Sequence, residues 1–253
     1  MPKNLEKEIE RIIIDETMGL NYTNLFRQPM VAISSAHDDR YFQLKEIVGE
    51  WLLNPTELLS DAMSVVSYFV PFTKSVILEP VNEKNGSPLW GEAYEVINNS
   101  FNLINNTISN YLVGLGFSVK TIPSTHTYDP KDMKSMWSHR SAAAIAGLGS
   151  FGINRMLITE KGSGGRFCSV VTSAKLKVTK NTLKVECLNK MNNSCGLCLN
   201  SCPVNALKHD NLYKHICQAE LNKNERMLKK RTILSRVDIC GKCISVCPLA
   251  YIE

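Results

Sequence analysis

The chain has 253 residues, 44% of them hydrophobic and 21% charged, enough to bury the core of one generous domain or of a main domain with a small appendage. Its 29 Lys and Arg against 24 Asp and Glu give a net charge of +5, well short of a nucleic-acid-binding tail. No run reaches the roughly 18 apolar residues of a membrane span, and the charged start MPKNLEKEIERIII is unlike a secretory leader, so the expected setting is cytoplasmic with no membrane partner.

In chain order, residues 3–16 predict an amphipathic helix with Leu5, Ile9, Ile12 and Ile13 on one side. Met30 to Ser34 (MVAIS) predicts a buried strand, followed by a helix over Arg40 to Leu52. SVVSYFV, Ser64 to Val70, is the next strand, ended by Pro71, and KNGSP is a turn. A long helix is expected from Gly91 to Leu115, with Tyr94, Ile97, Phe101, Ile104, Ile108 and Leu112 recurring every three or four positions. Its outer face is rich in Asn, a weak helix former. FSVKTI follows as a strand, TIPSTHTYDPKD as a loop, and residues 132–147 as a helix with small side chains. MLIT, CSVVTS and KLKVT are compact strand candidates. Alternating helices and strands predict an α/β domain over 1–182; strand order cannot be read.

Cysteine marks the remaining segment, 183–253. All nine fall from Cys168 onward, a clustering that fits a metal module better than a disulfide framework. Cys195, Cys198 and Cys202 with Pro203, and Cys240, Cys243 and Cys247 with Pro248, form two C-x2-C-x3-C-P runs. The usual two-cluster ferredoxin run has one more leading cysteine, and its last cysteine ligates the other cluster. The missing ligands can return from upstream. Cys187, Cys195, Cys198 and Cys247 would then hold one [4Fe–4S] cluster, and Cys217, Cys240, Cys243 and Cys202 the other. Glycine after the first cysteine of each run allows close approach of the backbone, and proline fixes the turn. Two four-thiolate zinc sites are the rival reading, but they leave the paired x3-C-P tails unexplained. Cys168 is left over, in an apolar strand pattern that suits a buried inert thiol.

Ala146 to Ile158 (AGLGSFGINRMLI), followed by KGSGGRFCSVVT and the two cluster motifs, resembles the epoxyqueuosine reductase family and its cobalamin-dependent relatives. The family stretch AGLGWIGKNTLLI is matched at Ala146, Gly147, Leu148, Gly149, Gly152, Asn154, Leu157 and Ile158, and departed from at Ser150, Phe151 and Ile153. LLSDAMSVVSYFVPF is similar to a further family strand upstream. The resemblance implies a nitroreductase-related α/β layer binding cobalamin, a bacterial-ferredoxin-like module of two clusters, and a reductase in which electrons pass through the clusters to cobalt. It implies cobalamin contacts at Ala146, Gly147, Leu148, Gly149, Gly152 and Asn154, with Gly164 and Gly165 of the glycine loop beside them. It also implies a low-potential donor such as flavodoxin or ferredoxin, and tRNA as a possible substrate.

Two departures bear on the substrate. The family's catalytic V-D-T-G-P motif is absent: Met133 aligns with its aspartate, which leaves Tyr128, Asp129 and Asp132 as candidate proton donors. The chain also ends at Glu253, shortly after Cys247, so the helical-repeat tail with which many family members grip tRNA is not expected. His126, His139 and His37 have no assigned chemistry. The basic stretch from Lys223 to Arg236 is either a solvated helix face or a docking face for an acidic electron donor or for RNA phosphate. A cobalamin-free electron-transfer protein, with the α/β part used for docking or for a flavin, is the competing function; a scaffold whose clusters only support RNA binding is the third.

Overall fold

The computed structural model describes residues 4–124, 128–129, 131–180 and 185–253. His126 and the expected boundary at 182–183 lie outside the described residues. The first half runs α1 (Leu5–Met18), β1 (Met30–Ser35), α2 (Asp39–Ile47), α3 (Pro55–Leu58), β2 (Ser64–Pro71), α4 (Lys74–Leu78) and α5 (Pro88–Gly114). Next come β3 (Val119–Thr121), β4 (Tyr128–Asp129), β5 (Lys134–Ser135), α6 (His139–Ile145), β6 (Gly149–Phe151), β7 (Leu157–Thr159) and β8 (Gly165–Thr172). The cysteine-rich end holds α7 (Leu188–Asn192), α8 (Leu197–Asn200), α9 (Lys214–Arg231) and α10 (Lys242–Ser245).

A four-stranded sheet of order β1-β2-β8-β3 forms the middle layer, every pair antiparallel. Alternation along the two central strands sorts their side chains onto opposite faces. Val66, Tyr68, Val70, Cys168 and Val170 join the core made with α1 and α5; Phe69 and Phe167 pack with Ala143 and Ala146 at the α6 end. The latter two rings face each other across the register and stack with centroids 4.3 Å apart. The α5 stripe foreseen from the sequence is buried at every position from Tyr94 to Leu112. Ser87 caps that helix at the Trp90 N–H, and Pro88 occupies its first turn. Cys168 is fully buried; it accepts from Asn105, whose Oδ1 in turn accepts from Tyr68.

Three expected elements differ. The helix after β1 stops at Ile47, ahead of Gly49, whose φ of 144° no helix accommodates. The expected helix over 132–147 begins only at His139, because the Asp132 side chain takes the Lys134 N–H in a turn, Met133 sits at φ 56°, and Ser138 provides the cap. KLKVT is no strand. It passes the outer edge of β1, where Ile33 and Thr179 exchange hydrogen bonds, while Lys177 N–H bonds the Glu6 carboxylate.

The cysteine-rich end shares the main core: Leu228, Val237, Ile239 and Ala250 are buried with α1, α5 and β2. The backbone N–H groups of Ser163 and Gly164 donate to Ala250, and the Arg27 guanidinium bridges the carbonyls of Lys161 and Ile252. The two expected units are therefore welded through buried apolar surface rather than tethered.

Candidate metal centres and adjoining cleft

The C-terminal thiols gather in two sets. Cys187, Cys195, Cys198 and Cys247 line one apolar cavity together with Ile153, Ile158 and Leu249. Burial, and then the neighbouring Cys247, Cys187 and Cys195, push the Cys198 thiol up to about 11. Around Cys217 the neighbours are Cys240 and Cys202, which with burial push its thiol up to about 11. Cys243 is pushed up to about 12 by burial and by Cys240, Cys217, Cys198 and Cys202. Each set thus draws three cysteines from one stretch of chain and one from the opposite motif. Cys198 feels Cys243, so the sets are neighbours.

Crowded thiolates repel one another, and a bound metal core relieves that repulsion. Four thiolates on one zinc, at about 2.3 Å each, lie within about 4 Å of one another. Among the described residues no group of three or more His, Cys, Asp or Glu closes on a single ion. The donor set, two C-x2-C-x3-C-P runs with Cys187 and Cys217, fits two iron–sulfur cores. Protein N–H groups already aim at the sulfurs: Ala206 N–H donates to Cys202 Sγ at 3.2 Å. Cys187 is opposed by burial but lowered by the backbone N–H groups of Ile153, Lys190 and Asn189. Gly241, at φ 77°, has the left-handed backbone expected after a motif cysteine; Gly196 does not, at φ −142°.

The segment carrying the family resemblance braces these sets. Asn154 Nδ2 donates to the Cys243 carbonyl at 3.1 Å, and its Oδ1 accepts from Met156 N–H. Ala146 and Leu148 are buried in the core beneath α6. A side chain at Gly149 would meet the Ile158 carbonyl carbon at 2.7 Å, one at Gly152 the Asn154 Oδ1 at 2.9 Å, and one at Gly164 the Ile77 side chain at 2.5 Å. At Gly165 it would strike the Val70 carbonyl and the Phe69 ring. Gly147 turns the chain out of α6 at φ 91°. The chain's own packing accounts for the absence of a side chain at Gly149, Gly152, Gly164 and Gly165.

Of the three candidate proton donors, Tyr128 alone is turned partly inward: it is half-buried, and burial and the Asp238 charge raise its phenol. Asp129 is exposed and accepts the Lys131 N–H in a local turn. Asp132 is exposed, ion-paired to Lys134 at 3.0 Å, and lowered by that partner, so it is a poor acid at neutral pH. Asp238 also accepts from Tyr94 at 3.2 Å and from Gln218 at 3.3 Å. Nearby, His139 holds Ser169 through Nδ1 at 2.7 Å and the Pro123 carbonyl through Nε2 at 3.2 Å. Trp137 Nε1 donates to the same Ser169 hydroxyl, so the satisfied arrangement is a neutral ring with its proton on Nε2.

Burial first, then the Arg166 charge, outweigh the Pro123 bond and lower His139 to about 4. The unfolded ring takes its proton near pH 6.5, so folding stability is complete above that pH and is lost as pH falls toward 4. Urea midpoints between pH 7 and 5 should therefore fall less steeply for His139→Gln than for the wild-type chain; equal slopes would contradict this.

Sequence reasoning gave no chemical role to Arg140, Arg166, Tyr94 or Asp238, which tertiary structure brings near one another: Arg166 lies over the Tyr94 ring, Tyr94 donates to Asp238, and the Arg166 charge reaches Arg140. On α9 the basic run is partly neutralised: Lys223 pairs with Glu220, Lys229 with Glu225 and Arg231 with Glu83. His37 is exposed and its backbone N–H bonds Ser35. No described helix is long and apolar enough to cross a membrane.

Residues 193–250 match the family described as a 4Fe-4S double cluster binding domain. No curated protein sequence matches the chain. Among solved structures, a selenomethionine-labelled epoxyqueuosine reductase is similar at a TM-score of 0.58 and 20% identity, over 98% of this chain and 65% of that one. The enzyme from Bacillus subtilis, with its catalytic loop swung out of the active site, gives 0.57 and 19% over 98% and 66%. An epoxyqueuosine reductase with an epoxyqueuosine-modified tRNA stem loop gives 0.56 and 19% over 98% and 64%. This chain thus spans just under two thirds of the length of the structures it matches. It has the epoxyqueuosine reductase fold, an α/β layer followed by a double-cluster module.

Proposed function

We propose that the chain is an iron–sulfur oxidoreductase that passes electrons through two [4Fe–4S] clusters to a corrinoid, reducing a substrate held in the cleft near Tyr128. The observation that carries this reading is the two sets of four thiols, each completed from the opposite motif, in a fold shared with epoxyqueuosine reductases. Cys187, Cys195, Cys198 and Cys247 would hold one cluster and Cys202, Cys217, Cys240 and Cys243 the other. A bound cobalamin would supply a strongly reducing metal centre. Ala146 and Leu148 pack beneath α6, and the absence of side chains at Gly149, Gly152, Gly164 and Gly165 keeps this segment close-packed, so it would form the scaffold against which a cobalamin lies. Tyr128 keeps its proton at neutral pH and can donate it; Asp129 and Asp132 are placed less well.

The donor partner in this reading is a low-potential flavodoxin or ferredoxin, with the exposed cations of α9, Arg226 and Lys230, as part of its landing face. tRNA is the substrate suggested by the structures of similar fold. The competing reading is an electron carrier without cobalamin, in which the α/β part serves for docking. Anaerobically purified protein should hold about eight iron and eight acid-labile sulfide per chain. It should retain added cobalamin stoichiometrically on gel filtration. Two zinc without sulfide would reject the cluster assignment; full iron with no retained cobalamin would leave the carrier.

A further inference from the structure

The two thiol sets differ in the charge packed against them, and one acidic side chain makes the difference. Glu220 on α9 has a side chain only 8% exposed. A buried carboxylate costs stability even when paired, and an uncharged side chain would fill the position without that cost. Its partner is Lys223, one turn on at 3.2 Å, whose side chain is 51% exposed. The pair therefore turns its carboxylate inward and its cation toward water.

The carboxylate faces the second set of thiols. Cys217 and Glu220 stand at i and i+3 on the helix and so share a face. Asn224, on that same face, is buried and donates to the Ile239 carbonyl at 3.0 Å, which brings the face against the chain entering Cys240. The Glu220 charge acts on both Cys217 and Cys240.

The first set is surrounded differently. The charges acting on Cys187, Cys198 and Cys247 are Lys190 and the neighbouring thiols. Glu186, just ahead of Cys187, is exposed and screened by water. The second set has a lysine too: Lys242 acts on Cys240, with its ammonium held by the Pro80 and Val81 carbonyls at 3.1 and 3.4 Å. One lysine therefore stands beside each set, and Glu220 offsets the charge of Lys242. Backbone N–H groups add to the contrast. Those of Ile153, Lys190 and Asn189 serve Cys187 and that of Leu249 serves Cys247, against Ala206 on Cys202 and Lys242 on Cys240.

Reduction of a cluster adds one electron and no proton to a core already ringed by thiolates. A nearby carboxylate opposes that added charge, whereas cations and N–H groups favour it. We propose that Glu220 is a positioning residue that sets the reducing power of the second cluster, holding it at a lower potential than the first. It acts through the ligand sulfurs and touches no substrate. The second set is also the one beside Tyr128. Asp238, just ahead of Cys240, accepts from Tyr94 and acts on Tyr128, and the Cys243 charge acts on Arg140. An electron supplied by the low-potential donor would thus leave toward substrate from the stronger reductant of the pair. The inference rests on the two-cluster reading above.

The test is a redox titration of the anaerobic holoprotein with titanium(III) citrate, following each cluster by EPR; the second cluster's signal is the one missing from Cys202→Ala. Its midpoint is expected below that of the first. Glu220→Gln should raise that midpoint by at least about 59 mV, a tenfold easier one-electron reduction, and leave the first cluster's nearly in place. Lys223→Gln should lower it, because the carboxylate loses its counter-charge. Glu225→Gln, further along α9 and paired with Lys229, should move neither. A change of packing alone would not shift one midpoint in opposite directions in the two variants. Full iron with the second midpoint at or above the first, or unmoved in Glu220→Gln, overturns the proposal. Lys223 is exposed, so its variant keeps the fold even if Glu220→Gln loses iron, and an unmoved or raised midpoint there overturns the proposal as well. A wild-type chain without about eight iron overturns the two-cluster reading itself.

Discussion

Cys247→Ala is expected to abolish the cluster held mainly by the first motif, although Cys247 belongs to the second. Its thiol lies with Cys187 and Cys195 and lines their largely apolar cavity, with Ile153, Ile158 and Leu249 among its walls. Three thiolates leave one iron without its sulfur ligand, and the Asn154 and Asn189 amides on the wall are poor replacements for a thiolate, so the core is lost rather than weakened. Cys202→Ala is the complement: its sulfur accompanies Cys217 and Cys240, so the second cluster should go. Each variant should fall from about eight iron to about four. EPR of the reduced protein should show the two variants losing different signals. Loss of the sequence-nearest cluster in both cases would reject the crossed arrangement.

The grouping of the thiols into two neighbouring sets was expected from the sequence because ligand spacing is local: two residues between thiols suit one face of a cluster, and three with a proline lead away. The α5 stripe was legible for the same reason, since a 3.6-residue period shows which side chains share a face. The residues around the cleft were not. Arg166 lies in β8, Tyr94 in α5 and Asp238 beyond α9, and no periodicity links positions so far apart. The glycines of Ala146 to Gly165 show a different limit. A glycine reports that something lies close to its Cα, but not whether that something is a cofactor or the Val70 and Ile158 carbonyls. The shortened α6 shows a third: Asp132 looked helix-compatible in its apolar context, yet its carboxylate captured the Lys134 N–H and turned the chain.

Gly162→Ala is expected to be strongly destabilising, and it tests whether fold and centre are one structure. Gly162 sits at φ 94°, a conformation that strains any L side chain by about 1–3 kcal/mol. Its added methyl would also overlap the Ala250 carbonyl, with the carbonyl carbon at 2.7 Å and the Tyr251 Cα at 3.0 Å. Backbone cannot swing aside as a side chain can, so overpacking adds about 1–3 kcal/mol. The displaced segment is the one whose Ala250 N–H bonds the Cys247 carbonyl, and whose Ala250 side chain lies in the main core. Relief by shifting residues 249–251 would therefore carry Cys247 away from its three partners. Anaerobic melting and iron analysis should show a lower Tm together with loss of about four iron per chain. Gly114→Ala is the matched control: at the end of α5, with nothing within 4 Å of the added methyl, it should hold or slightly raise Tm and keep all the iron. If Gly162→Ala loses stability but keeps every iron, the docking edge and the first cluster are mechanically separate. If it melts with the wild-type chain, the contact between the glycine loop and Ala250 does not exist in solution.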